Sequence, residues 1–177
     1  GNVVLFLHRR EDTERFSALA EEFQFKVIVS EQINELFSLP ALYRTTCETL
    51  ALMTDERFHG GHVCTVAQLR TPLLLKNLEG REDLIAQEVR ALAAHDREKG
   101  TQYCETLYDY LICCRSLQKT CEALFAHRNT VLYRIRRMQE EFAIPLDEPL
   151  KHADLLLSVS LLLFEAKGPD FFLPKTP

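Results

Sequence analysis

The chain has 177 residues, 46% of them apolar and 27% charged, with a formal net charge of −5. That is ordinary for soluble globular protein and enough for one full domain or two small ones. It excludes a generally basic nucleic-acid coat protein, though not a local basic reading head. The six cysteines lack disulfide-framework spacing and no signal-peptide pattern opens the chain, so free thiols in a reducing cytoplasm are expected. The longest apolar run, residues 155–164, falls far short of the ~20 residues that span a bilayer. No membrane association is expected.

In chain order, Asn2-Val3-Val4-Leu5-Phe6-Leu7 reads as a strand that begins abruptly after Gly1, as in a fragment cut from a longer protein. A helix follows over about 11–23, with Phe16, Leu19, Ala20 and Phe23 at helical spacing. Phe25-Lys26-Val27-Ile28-Val29 reads as a second strand, and residues 33–53 as one or two helices interrupted at Pro40. Residues 62–66 make a short third strand rich in β-branched side chains. Strand–helix–strand–helix–strand in under seventy residues predicts a small sheet with helices packed on it.

Beyond residue 67 everything reads as helix: 67–78, 81–95, 101–113, a two-helix motif over 116–142, then 150–167. Gly80 and Gly100 fall where helices should end, and Pro145 and Pro149 mark a loop. Residues 168–177 read as an irregular tail. The 155–164 run is apolar nearly all round, so it predicts a buried helix whose second apolar face needs a partner, either the helices before the motif or the same helix of another subunit.

The motif carries the chemistry. On a helical wheel Val131, Ile135, Met138 and Phe142 form one narrow stripe facing a core. Asn129, Tyr133, Arg136 and Arg137 cluster opposite, with Thr130 and Arg134 on the flank. A helix that buries one edge and offers guanidinium, amide and hydroxyl groups on the other suits the DNA major groove. An ordinary amphipathic helix with a solvated basic face would share that periodicity. Between Ser116 and Glu141, Lys119, Arg128, Arg134, Arg136 and Arg137 stand against Glu122, Glu140 and Glu141, a net of about +2. So small a footprint implies weak binding by a monomer, and hence dimers or additional modules.

The run His127-Arg128-Asn129-Thr130-Val131-Leu132-Tyr133-Arg134-Ile135-Arg136-Arg137-Met138 closely resembles the H-R-N-T-L-x-Y-R-L-x-R-I signature of PucR-type regulators. That family includes purine-catabolism and sugar-diacid-utilisation transcription regulators. The resemblance covers roughly residues 80–166. Upstream, Asp96-Arg97, Gly100-Thr101 and Glu105-Thr106-Leu107-Tyr108-Asp109-Tyr110-Leu111 look like the family's D-x-x-x-G-T-x-L-x-x-T-L-x-x-Y-L segment. Downstream, residues 153–164 are similar to its apolar closing helix. Two departures stand out: Cys113-Cys114-Arg115 replaces a Gly/Asn-rich turn, and Cys121 replaces an alanine. The first bears on the approach angle of the motif. The second is a like-for-like small hydrophobe. Ser30 and the helix through Tyr43, Cys47 and Leu50 are similar to the degenerate GGDEF-like domain that precedes the helix-turn-helix in many of these proteins.

The resemblance implies an α+β chain: a partial GGDEF-like α/β domain over 1–79, an all-helical helix-turn-helix domain over 80–167, and the tail over 168–177. It implies a sequence-specific transcription regulator that binds double-stranded DNA as a homodimer, with the helix at about 128–142 in the major groove. Asn129 and Arg136 are the candidates for base edges. Lys119, Arg128, Thr130, Tyr133 and Arg137 are candidates for phosphates, with His127 at the head of the helix. Arg134 is a candidate either for DNA or for a structural ion pair. Any small-molecule effector would act through a missing N-terminal domain. The alternative function is a helical protein-interaction module that keeps the scaffold without DNA binding, which the acidic charge and altered turn favour.

Nothing points to an enzyme, a cofactor or a metal. Gly60-Gly61 resembles the hairpin of a diguanylate cyclase, but His62-Val63-Cys64 follows where metal-binding carboxylates belong. His59, His62 and Cys64 lack a fourth ligand for Zn²⁺. Adjacent Cys113-Cys114 read as helix-end packing rather than a redox pair. His95-Asp96 has no nucleophile beside it, so Asp96 reads as capping chemistry between two helices.

Overall fold

The computed structural model describes residues 2–6 and 14–173. It divides into two compact units, one of residues 1–77 with 167–177 and the other of residues 78–166.

The first unit contains α1 (Glu14–Glu22), β1 (Val27–Val29), α2 (Leu39–Met53), β2 (Val63–Thr65) and α3 (Val66–Asn77). β1 and β2 pair in parallel, Val27 opposite Val63 and Val29 opposite Thr65. A parallel pair needs a crossover, and α2 supplies it. The strand expected over 2–7 is not formed at residues 2–6, where Val3, Val4, Leu5 and Phe6 are exposed. Leu7 lies outside the described residues. β-propensity alone cannot hold a strand that has no ladder partner. Pro40 does not interrupt a helix. It sits in the first turn of α2, after a 3-10 turn at Leu36–Ser38, where its missing N–H is no loss.

Residues 168–173 are more ordered than a tail. Pro169–Phe172 form a 3-10 turn, and the Asp170 carboxylate accepts hydrogen bonds from the backbone N–H groups of His59 (2.7 Å) and Gly60 (3.2 Å). Gly168 makes this approach at φ +77°, where a Cβ would lie 2.6 Å from the Cβ of Arg57.

The second unit holds α4 (Gln87–Lys99), α5 (Tyr103–Ile112), α6 (Leu117–Leu124), α7 (Arg128–Phe142) and most of α8 (His152–Lys167). Val89, Leu92, Leu107, Val131, Met138 and Leu155 lie at its fully buried centre. The run in α8 is core on nearly all sides: Leu155, Val159, Leu161, Leu163 and Phe164 are buried, while Leu157 is exposed. Its serines are buried too, and Ser158 accepts from the N–H of Ala86, just ahead of α4. Gly100 ends α4 in the left-handed region at φ 65°.

The α4–α5 corner rests on Asp96. One carboxylate oxygen accepts from the Thr101 hydroxyl and from the N–H of Tyr103 (2.9 Å), the other from the N–H of Cys104 (2.7 Å). These are orphan donors of the first turn of α5, capped by a side chain from the preceding helix. Burial, with Asp96 beside it, pushes the Cys104 thiol well up, and burial also raises Cys64 and Cys113. These cysteines therefore stay protonated and serve as packing groups.

Candidate DNA-binding site

α6 and α7 are joined by a three-residue turn, Phe125-Ala126-His127. Ser116 caps α6, its hydroxyl accepting from the N–H of Lys119 at 3.4 Å. His127 caps α7 from extended backbone, its Nδ1 accepting from the N–H of Asn129 at 3.3 Å. The imidazole is thus tied to the helix end rather than projecting alone. Val131, Ile135 and Met138 are buried. Phe142 continues the stripe in an aromatic cluster, 5.2 Å edge-on from His95, which stacks on Tyr103 at 5.5 Å.

The first turn of α7, Arg128, Asn129 and Thr130, is exposed, as are Tyr133, Arg136 and Lys119. Of the nine candidate residues, Arg134 and Arg137 face elsewhere. Arg134 donates to the Thr106 hydroxyl at 3.0 Å and to the Gln102 side-chain oxygen at 3.2 Å, so its structural partners are neutral rather than ionic. Arg137 does not stand opposite the core as the wheel suggests. It is half-buried beside Tyr103, ion-paired with Glu141, and 5.8 Å from the Tyr133 ring centroid. Long guanidinium arms fold back onto α5 instead of continuing outward.

Helices α5, α6 and α7 therefore form one packed set, with a capped helix presenting Asn129 and Arg136 to solvent. Residues 103–161 match the PucR C-terminal helix-turn-helix domain. The proline-responsive transcriptional activator PutR of Bacillus subtilis (strain 168) is 25% identical over 180 residues. That similarity covers 92% of this chain and 44% of PutR, so the chain spans less than half the length of that curated relative. No solved structure matches the chain. Residues 103–161 thus match a helix-turn-helix domain, and the relative is named as a transcriptional activator.

Within the matched stretch the Cys113-Cys114-Arg115 turn keeps the conformation that Gly or Asn would favour. Cys114 and Arg115 are both left-handed, at φ 52° and 61°. The Arg115 guanidinium is spent on the Leu146 carbonyl at 3.0 Å. Sequence reasoning missed the supporting groups of the site: Gln102, Tyr103 and Thr106, which hold the two inward arginines. Only the Asp96…Gly100-Thr101 spacing signalled that this corner was built.

In the first unit, His59, His62 and Cys64 each turn to a different backbone carbonyl, of Arg57, Phe25 and Gly61 respectively. Among the described residues no helix is long and apolar enough to cross a membrane.

Proposed function

We propose that this chain reads a specific operator as a twofold homodimer in the cytoplasm, with α7 of each copy in a major groove. One observation carries this reading: the capped N-terminal turn of α7 and Arg136 are solvent-facing while Val131, Ile135 and Met138 are buried. Asn129 pairs with adenine and Arg136 with guanine. Lys119, Arg128, Thr130 and Tyr133 hold phosphates. Arg134 and Arg137 position the helix, and His127 caps it. The two heads stand about 34 Å apart on the duplex.

The first unit is a degenerate GGDEF-like domain, a reading supported by its parallel strand–helix–strand unit and by the resemblance around Tyr43 and Cys47. Any effector response, such as the one for which the proline-responsive relative is named, acts outside the helix-turn-helix.

Fluorescence anisotropy against short duplexes, with a salt titration, tests the reading. Arg136→Ala should cost about 1–3 kcal/mol on a selected site and less on random DNA. Lys119→Ala should weaken all sequences alike and flatten the salt slope by about one unit. Equal loss on specific and random DNA for Arg136→Ala would sink its base-reading role. No salt-dependent binding at all would favour the protein-interaction module. Sedimentation at micromolar concentration tests the dimer.

A further inference from the structure

Phe125 ends α6 in a left-handed conformation, φ 49° and ψ 39°, with its side chain 92% exposed. Both features oppose stability. A side chain bearing a Cβ is disfavoured in that region, where glycine and asparagine are not. A phenyl ring left in water contributes no apolar burial. The turn does not use the ring, because its backbone closes it: Phe125 N–H donates to the Glu122 carbonyl at 3.3 Å and Ala126 N–H to that of Cys121 at 3.0 Å. Folding alone would favour glycine here. A local outlier of this kind, fixed by its surroundings, points to a use.

Its place in the chain says which. Phe125 stands two residues before the His127 cap and three before Arg128, at the end of α7 that meets base edges in a helix-turn-helix complex. The floor of the major groove is lined with hydrogen-bonding nitrogen and oxygen and offers one prominent apolar group, the C5 methyl of thymine. We infer that Phe125 is a specificity residue whose ring packs on a thymine methyl beside the bases read by α7. The inference rests on the DNA-binding reading above and adds a base preference that the arginine and asparagine contacts do not supply.

The test uses the full chain. Short random-sequence duplexes are enriched for binding by the parent protein, and the enriched sequence is remade with deoxyuridine for thymidine, which removes only the methyl groups. The parent should lose about 3- to 10-fold in affinity on the uracil duplex. Phe125→Gly and Phe125→Asn should bind the thymine duplex more weakly by a similar factor, distinguish the two duplexes less than the parent does, and melt no lower. A variant that keeps the parent's thymine-to-uracil ratio overturns the inference while leaving DNA binding intact. Melting of both variants below the parent also overturns it, since the ring would then serve the fold. If Arg136→Ala is selective and Phe125→Gly is not, the reading of α7 stands and that of Phe125 falls. If the parent enriches no sequence, both fall.

Discussion

Arg134 of α7 and Thr106 of α5 meet through a 3.0 Å hydrogen bond from the guanidinium to the threonine hydroxyl. Thr106 is fully buried and spends its own proton on the Gln102 carbonyl at 2.7 Å, leaving its oxygen free to accept. Arg134 reaches the Gln102 side chain as well, so one arginine ties the reading helix to the start of α5. Arg134→Ala should lower stability by about 1–2 kcal/mol and leave the salt slope of random DNA binding unchanged. Arg134→Lys should recover only part of the loss, because an ammonium cannot fork across two acceptors. Denaturant midpoints and a salt titration check both statements. A salt slope that falls by about one unit would put Arg134 on a phosphate instead.

The Cys113-Cys114-Arg115 turn offers a gain of stability. Cys114→Gly should stabilise by about 1 kcal/mol, since glycine meets no Cβ penalty at φ 52°. Arg115→Gly should gain less or nothing, because it also forfeits the hydrogen bond to the Leu146 carbonyl. Parallel urea titrations rank the two, and a Cys114→Gly midpoint below the parent's would contradict the prediction.

Asp96→Ala should cost about 2 kcal/mol by leaving the N–H groups of Tyr103 and Cys104 uncapped. Hydrogen exchange at those two amides should quicken before exchange in α7 does. Uniform quickening across the unit would mean that the cap belongs to its global stability.

Asp55 sets a pH dependence in the first unit. Its carboxylate accepts from the Arg57 side chain and backbone N–H and from Lys76 at 3.3 Å, and these hold it well below the usual carboxylate range. A depressed folded value contributes stability that is present above the unfolded value, about 3.9, and lost as pH falls through the folded one. Asp55→Asn should therefore be less stable than the parent at neutral pH, with the gap closing below about pH 4. A gap that stays constant through acid would mean that the hydrogen-bond geometry, not the charge, matters.

The buried stripe of α7 was legible because a 3.6-residue period repeats over four turns, and the Asp96 cap because an acid four residues before Gly-Thr suits a corner. The inward turn of Arg134 and Arg137 was less so. A wheel treats side chains as radial spokes, whereas Arg134 and Arg137 bend along the surface to find Thr106, Gln102 and Tyr103. Residues 2–6 have strand composition without a ladder partner, a condition that composition cannot report. Pro40 was misplaced because the same residue that breaks a helix interior also opens a helix. The left-handed angles at Cys114 and Phe125 were hidden by residue types that argue against them.

The path of the chain between the two units has a practical consequence. It leaves the first unit after Asn77 and returns at Lys167, where Asp170 fastens the returning segment to His59 and Gly60. A single protease nick near Leu78 would therefore leave both fragments associated through the returning segment. Dissection at residue 166 would yield the helical unit at the expense of its neighbour, stripping the first unit of a clasp that comes from the far end of the sequence.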